Sequence, residues 1–440
     1  MSASTEGELG ELVASEAEAG TASALADGVG PPQPTGRWRW PRTFRALRHR
    51  NFRLYWSGQV FSLVGTWMQI VAQQWLVYRL TDSPLMIGLV NLVGLLPVVP
   101  VSLLAGVISD RFPRRKLIIV TEIVLTAQTL ALALLTALGI VQVWHIIVLS
   151  FVLGAASALE QPARLAFVAD TVGKEDLSNA VALNSSAYNV ARILGPAIAG
   201  LLVAWIGETG CFLINGFTYL PVILALLAIE LPAQARPRGP MRLGGDVMSG
   251  LRYTWDTRLI RSLLIIVALS SFLTLPYMVL MPVFAGDVLD AGPDAYGFLL
   301  TAVGVGAIGG ALVVANLRSG RRGRWLNVAN VLGPAFLLLF CLSRSFVVSL
   351  GVVFFVGAAN AMRQTLANSL LQLKAAEEYH GRVMSLFNLI FNGMSRAGGL
   401  AVGAAAEFTG APWALGVSAA ASLLMGLAIV WRLPEVDRLA

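Results

Sequence analysis

Long apolar runs recur along almost the whole chain, and they limit its possible folds more than any other feature does. Twelve of these runs are long enough to cross about 30 Å of hydrocarbon as helices. Only helices satisfy the backbone amides and carbonyls of such runs, because no water reaches those groups inside a bilayer. The sequence therefore predicts an all-α membrane protein with spans at about 53–79, 84–109, 115–139, 143–169, 178–206, 210–231, 259–286, 294–317, 325–343, 346–372, 381–408 and 412–433.

Composition excludes several other classes of protein. Of the 440 residues, 56% are hydrophobic and only 13% are charged, whereas soluble domains carry roughly a quarter charged residues. The net charge is +7, but the bases lie in short loops between apolar runs, so no nucleic-acid-binding surface is predicted. The two cysteines and three histidines form no cluster with metal-ligand spacing, and no phosphate-binding loop is present. We therefore expect no metal, no cofactor and no enzymatic activity.

Charge and composition also divide the chain into segments. Most of the 32 bases lie near the termini or in connections that follow even-numbered runs, which places both termini in the cytoplasm by the positive-inside rule. Residues 1–43 are predicted to form a disordered tail that becomes basic toward its end. Residues 232–258 are predicted to be a cytoplasmic linker between two halves, 44–231 and 259–433, and residues 434–440 form a second cytoplasmic tail.

An internal repeat supports this division into halves. The segment GAASALEQ at 154–161 aligns with GAANAMRQ at 357–364, and the same offset pairs Gly195 with Gly398. Parallel repeats around a site near the membrane midplane are one known architecture of secondary transporters. The sequence therefore predicts two pseudo-symmetric six-helix bundles.

The connection between the second and third runs is unusually charged. It reads Gly106-Val-Ile-Ser-Asp110-Arg-Phe-Pro-Arg-Arg-Lys116, with one acid among four bases. Gly106 lies one helical turn before Asp110, where a neighbouring helix could approach closely. This spacing resembles the signature loop between the second and third helices of the major facilitator superfamily.

That resemblance implies a latch between the two halves. A carboxylate at Asp110 would meet the partly positive N-terminus of the helix that begins near Arg382, and Asp170 would hold Arg114 or Arg115. The alternative is that these charges only fix the topology of the chain. The predicted latch residues are Gly106, Asp110, Arg111, Arg114, Arg115, Asp170 and Arg382.

The fifth run contains a kink motif, Arg-Ile-Leu-Gly195-Pro196-Ala-Ile-Ala-Gly200. Pro196 removes a backbone amide, while Gly195 and Gly200 permit close approach of a partner helix. The motif resembles the Gly-Pro segment in the fifth helix of drug–proton antiporters of the same superfamily, which implies a hinge. The alternative is a generic kinked helix with small residues.

Ionisable side chains interrupt several apolar runs, where charge is costly and usually faces a cavity or another charge. Glu160 and Arg164 stand four residues apart and share a helix face. We predict that Glu160 carries the transported proton, with Arg164 or Arg192 as its partner. A permanent ion pair that only holds helices together is the alternative.

A set of polar residues within the runs is predicted to line a central substrate cavity. Each member could instead form an interhelical hydrogen bond. The set comprises Gln69, Gln73, Asn91, Asn184, Asn189, Arg363, Asn388 and Asn392.

Three further segments resemble one subgroup of the superfamily, that of the enterobactin exporter and related multidrug efflux proteins. They are NFRLYWSGQ at 51–59, QPARLAFVAD at 161–170 and DLSNAVALNS at 176–185. The resemblance implies a monomeric, proton-coupled exporter of a small amphipathic compound, such as a drug, siderophore or secondary metabolite, in a bacterial cytoplasmic membrane. A nutrient symporter or uniporter and a lipid-moving membrane protein remain alternatives.

Overall fold

The computed structural model describes residues 42–229, 251–317 and 322–432. Nearly all of the predicted N-terminal tail, most of the predicted linker and the C-terminal tail lie outside these ranges. The described residues form helices and no strands, and from Ala46 onward they belong to one compact unit. The predicted all-α architecture is confirmed.

Thirteen helices are labelled here, and they follow the predicted runs closely. A short 3₁₀ segment, Arg42–Arg48, precedes them. Their bounds are α1 Arg50–Thr81, α2 Pro84–Leu95, α3 Val98–Arg111, α4 Arg114–Ala137, α5 Val143–Thr218, α6 Leu220–Ala228, α7 Arg258–Thr274, α8 Tyr277–Val283, α9 Pro293–Ala315, α10 Arg322–Leu342, α11 Phe346–Lys374, α12 His380–Thr409 and α13 Ala411–Arg432.

Helix α5 contains two sharp turns, at Gly173 and Gly207. Both glycines have φ of 71° with extended ψ, a backbone conformation that is open to glycine and strained for other residues. The turns divide α5 into α5a (143–172), α5b (174–206) and α5c (208–218). Single glycines therefore replace connecting loops between predicted runs.

Two predicted runs are interrupted by proline. The second run breaks at Pro97, between α2 and α3, and the seventh breaks at Pro276, between α7 and α8. Proline has no backbone N–H to donate to the carbonyl oxygen four residues earlier, and its ring clashes with that carbonyl group. Each proline therefore interrupts the helix.

Nine helical stretches in the described residues are long and apolar enough to cross a membrane. One of them, Glu175–Ala228, contains the turn at Gly207 and so holds two helices. Helices α1, with 32 residues, and α12, with 30 residues, are also long enough to cross a membrane. Their mean hydropathy is lower than that of the nine stretches. The nine stretches are consistent with the twelve predicted spans without establishing that number.

Glycines of the internal repeat have the same role in both halves. A Cβ atom on Gly154 of α5a would collide with the carbonyl oxygen of Gly94 in α2. A Cβ atom on Gly357 of α11 would collide with the carbonyl oxygen of Val303 in α9. No side chain fits at either place, so the two halves use corresponding glycines to pack corresponding helices.

The close helix contacts between the halves concentrate at one end of the bundle. There α2 packs against α12 and α5b packs against α9. A Cβ atom on Gly88 would lie 2.9 Å from the Cα atom of Leu400, and one on Gly200 would lie 2.8 Å from the Cα atom of Gly297. We call this end the Ser83 end, and the opposite end, where α4 begins and α5a finishes, the Asp170 end.

Candidate functional site

A buried charged cluster lies inside the N-terminal half. Arg164 Nη1 and Glu160 Oε1 on α5a are 3.5 Å apart, as expected for residues four apart on one helix face. Glu122 on α4 is only 1% exposed and interacts electrostatically with both of them. Tyr55 on α1 is equally buried and completes the cluster. The structure therefore brings Glu160 and Arg164 together and adds Glu122 and Tyr55, which sequence reasoning did not place there.

Several polar atoms of this cluster have no hydrogen-bond partner among the described residues. They are Tyr55 Oη, Glu122 Oε2 and Arg164 Nε. Buried polar atoms are nearly always satisfied, and exceptions point to strain, bound water or a functional role. An incompletely bonded carboxyl–guanidinium cluster can exchange partners more readily than a saturated ion pair.

Three more arginines lie within helices of the two halves. Arg363 on α11 is 5% exposed and donates to Thr274 Oγ1 at 3.2 Å and to Asn360 Oδ1 at 2.6 Å. Arg192 on α5b and Arg396 on α12 are half-buried. No ion pair joins any of the three to a carboxylate of the described residues. Arg192 therefore does not act as a second partner of Glu160 in this conformation.

Two tyrosines connect these arginines across the halves. The phenol of Tyr277 on α8 lies within electrostatic range of Arg192 and Arg363. The phenol of Tyr188 on α5b lies within range of Arg164 and Arg396. Each tyrosine thus lies in the neighbourhood of one guanidinium from either half. Nothing in the sequence indicates that either tyrosine lies near these arginines, because each is simply one aromatic residue within an apolar run.

The predicted cavity residues fall into two groups. Gln69 accepts hydrogen bonds from Thr129 at 2.8 Å and from Asn215 at 2.6 Å, inside a fully buried network. Gln73 donates to Ser150 at 2.9 Å, and the side chain of Asn91 accepts from Gln74 at 3.3 Å. These three side chains join helices of the N-terminal half. The other polar members, which are exposed or half-buried, are Asn184, Asn189, Asn388 and Asn392.

Part of the predicted latch is formed within the N-terminal half. Arg114 Nη1 donates to both oxygens of Asp170, at 2.8 and 2.9 Å. Arg115 donates instead to the carbonyl oxygen of Leu227, and the Arg382 guanidinium stacks 5.3 Å from the Tyr379 ring centroid. The structure does not describe the side chain of Asp110 or the surroundings of Gly106. Contact between these charges and the other half stays a prediction.

The kink motif of α5b lies in the contact between the halves. A Cβ atom on Gly297 of α9 would lie 2.6 Å from the carbonyl oxygen of Pro196 and 2.7 Å from the Cα atom of Gly200. Gly195 faces α1, where an added Cβ would lie 2.5 Å from that of Trp67. The motif lets α5b pack tightly on both sides, and its role as a hinge stays a prediction.

Side-chain hydrogen bonds join the halves at the Ser83 end. Ser83 Oγ donates to Glu407 Oε2 at 2.8 Å, and Tyr296 Oη donates to Gln74 Oε1 at 2.8 Å. The Tyr78 hydroxyl donates to Asp287 across the same interface. The sequence showed Glu407 as a lone acid near the end of an apolar run, but it gave no indication of its partner.

Curated bacterial proteins resemble this chain over most of its length. The multidrug efflux pump Tap of Mycolicibacterium fortuitum is 25% identical over 386 residues, which is 85% of this chain and 94% of that protein. The staphyloferrin A transporter of Staphylococcus aureus is 26% identical over 60% of this chain and 66% of its own length. The macrolide efflux protein A of Streptococcus pyogenes is 23% identical over 78% of this chain and 86% of its own length.

Solved structures share the fold. A bacterial homologue of the human lysosomal transporter Spinster, in an inward-facing and unoccupied conformation, superposes with a TM-score of 0.66 at 14% identity, covering 92% of this chain and all of that one. The nucleoside transporter NupG superposes with a TM-score of 0.65 at 15% identity, covering 89% of this chain and 99% of that one. These likenesses show the fold alone.

The sequence profile of one transporter family, described as transmembrane secretion effector, matches residues 42–440. The match covers nearly the whole chain, and the helical architecture agrees with it. The predicted superfamily is confirmed, as is the prediction of a transport protein rather than an enzyme. The chain is a multi-pass membrane transporter that belongs to the transmembrane secretion effector family of the major facilitator superfamily.

Proposed function

We propose that this protein exports a small amphipathic compound across the bacterial cytoplasmic membrane by proton antiport, as a monomer with alternating access. The observation that carries the proposal is the buried cluster of Glu122, Glu160 and Arg164 inside a membrane helix bundle. Two polar atoms of this cluster, Glu122 Oε2 and Arg164 Nε, have no hydrogen-bond partner among the described residues. Ionisable groups at such depth mark proton or substrate pathways in transporters. Relatives named as efflux proteins support the outward direction, and a relative named as a staphyloferrin A transporter supports a small organic substrate.

The distribution of bases supports an orientation. The Asp170 end holds Arg114, Arg115 and Lys116, so the positive-inside rule assigns that end to the cytoplasm. The halves then pack together at the outer end, through α2–α12 and α5b–α9. In this orientation the described conformation is closed to the outside, and its counterpart would close the Asp170 end instead.

The cluster supports a simple coupling scheme. Glu160 is paired with Arg164 in the closed-outside conformation at 3.5 Å. Both residues lie on one helix, so the scheme requires the Arg164 side chain to swing away from Glu160 when the surroundings of the guanidinium change between the two conformations. The buried carboxylate then lacks its counter-charge, and binding a proton removes that cost. Return to the first conformation restores the pair and releases the proton to the cytoplasm.

Dye efflux from energised cells tests this proposal. We would compare the native protein with Glu160→Gln and with Glu377→Gln, a control that removes a carboxylate from the short turn before α12. Cells would be loaded separately with ethidium, a cation, and fluorescein, an anion. We expect native efflux of at least one dye to collapse with an uncoupler, and Glu160→Gln to reduce it at least ten-fold while Glu377→Gln does not.

Three outcomes would contradict the proposal. Efflux that survives the uncoupler would exclude proton antiport. Native efflux by a correctly inserted Glu160→Gln protein would assign Glu160 a structural role. Energy-dependent accumulation of either dye above that in cells lacking the protein would indicate an importer.

A further inference from the structure

The charges that lie far from the helix ends are unevenly shared between the two halves. The N-terminal half contributes two acids and two arginines, Glu122, Glu160, Arg164 and Arg192. The C-terminal half contributes Arg363 and Arg396, and its described carboxylates lie in the 251–256 segment, at the Ser83 end or in the 377–378 turn. The region between the halves therefore has an excess of positive charge.

Neither buried acid compensates the arginines of the C-terminal half. Glu122 and Glu160 both act on Arg164. Among the described residues, Arg363 donates to Thr274 and Asn360 and lies near Tyr277, while Arg396 lies near Tyr188. Hydrogen bonds to neutral oxygens orient a guanidinium but leave its charge uncompensated, which is costly inside a membrane.

Tyr188, Arg192 and Arg396 lie beside the space between the halves, whereas Arg363 is only 5% exposed in this conformation. Tyr188 belongs to the N-terminal half, is 44% exposed and lies within electrostatic range of Arg396 in the other half. Arg192 and Arg396 are half-buried, so each is partly accessible. The Tyr188 ring packs edge-to-face on Trp67, with centroids 5.8 Å apart. The aromatic rings of Tyr188 and Trp67 therefore lie beside the same space as the guanidiniums of Arg192 and Arg396.

We infer that this space binds a small amphipathic organic anion, whose carboxylate or phosphate is recognised by Arg363 and Arg396 and whose apolar part packs on Tyr188 and Trp67. The inference rests on the proposed function, since it takes the space between the halves as the path of the exported compound. Guanidinium forks match carboxylate and phosphate oxygens in geometry. A bound anion would also supply the counter-charge that the protein lacks there.

Direct binding tests the inference without requiring transport. Fluorescein and a rhodamine ester share a xanthene ring system and carry opposite charge at neutral pH. We would measure the fluorescence anisotropy of each dye with the purified full-length protein in a non-ionic detergent. We expect fluorescein to bind at least ten-fold more tightly than the rhodamine ester, and more weakly as salt rises.

Matched arginine variants locate the site. We expect Arg363→Gln and Arg396→Gln each to weaken fluorescein binding roughly ten-fold or more, as for the loss of a charge-assisted hydrogen bond, and to leave rhodamine binding unchanged. Arg324→Gln removes an exposed guanidinium on α10 and serves as the control. Arg363→Lys and Arg396→Lys retain the charge, and partial retention of binding by these variants separates anion recognition from a loss of folding.

Several results would overturn the inference. They are equal or tighter binding of the rhodamine ester, absence of fluorescein binding, and fluorescein binding that both glutamine variants preserve. Each of them leaves proton-coupled efflux of a neutral or cationic compound intact. Conversely, anion binding with efflux that ignores the uncoupler would retain this inference and remove the proton from the mechanism.

Discussion

At the scale of single residues, polar side chains inside these helices have two different roles. Gln69, Gln128, Thr129 and Asn215 bond to one another in a network that joins α1, α4 and α5c. Glu122, Glu160 and Arg164 lie in the same half, where Glu122 Oε2 and Arg164 Nε have no partner among the described residues, while within the network Gln128 Nε2 alone lacks one. A closely bonded network favours one fixed packing, whereas incomplete bonding leaves room for exchange of partners.

The bonded network leads to a prediction about stability. Asn215 donates to Gln69 at 2.6 Å and accepts from Thr218 at 2.9 Å, so Asn215→Ala would remove interhelical bonding and leave Gln69 less satisfied. We expect the free energy of unfolding to fall by about 1–3 kcal/mol, seen as a melting temperature several degrees lower in detergent. Asn388→Ala, at an exposed position on α12, is the control and should melt like the native protein. Equal melting of the two variants would show that the network adds nothing to stability.

At the scale of helices, the sequence predicted where apolar segments lie but not which of them touch. Run length and backbone satisfaction locate the spans, and helical periodicity places Glu160 beside Arg164. The sequence of an apolar helix face does not show whether lipid or another helix covers that face. The packing of α5b on α9 could therefore not be predicted and is known only from the structure. The same reason explains why Glu122, Tyr188 and Tyr277 were not predicted at the site: they come from separate helices with no shared spacing.

The contact between α5b and α9 leads to a prediction about conformation. A Cβ atom on Gly200 would lie 2.8 Å from both Gly297 Cα and the carbonyl oxygen of Pro293. Both are backbone atoms, so Gly200→Ala forces the helices apart, at a cost of about 1–3 kcal/mol to the conformation described here. That cost shifts the balance roughly 5- to 150-fold toward the conformation open at the Ser83 end.

Cysteine labelling measures that shift. Ile87 is fully buried beside the α2–α12 contact, so Ile87→Cys should react slowly with a membrane-impermeant maleimide while the Ser83 end is closed. We expect Gly200→Ala to speed this reaction at least five-fold. Gly393→Ala is the control, since nothing lies within 4 Å of a Cβ atom at Gly393. Identical rates in the two backgrounds would mean that the α5b–α9 contact does not hold this end closed.

At the scale of the whole molecule, the two halves are joined at one end by features that can separate. Backbone-to-backbone glycine contacts give a close fit between helices without a covalent link. The hydrogen bond from Ser83 to Glu407 joins the start of α2 to α12, and Glu407 is exposed, so water can take the place of the serine when the helices separate. A tight but replaceable closure of this kind suits two rigid bundles that alternate between two arrangements.

Reversible crosslinking tests whether export requires this end to open. In a background with Cys211→Ala and Cys341→Ala, Ser83→Cys and Glu407→Cys would be bridged by a short bis-methanethiosulfonate reagent, since the native side chains are 2.8 Å apart across the halves. We expect bridging to abolish efflux and reduction to restore it. The control bridges Arg79→Cys to Glu208→Cys, whose native side chains are also 2.8 Å apart but lie within the N-terminal half. That bridge should leave efflux intact, because rigid-body motion of the halves does not change the distance it spans. Undiminished efflux through the Ser83–Glu407 bridge would show that the substrate leaves without separation of α2 from α12.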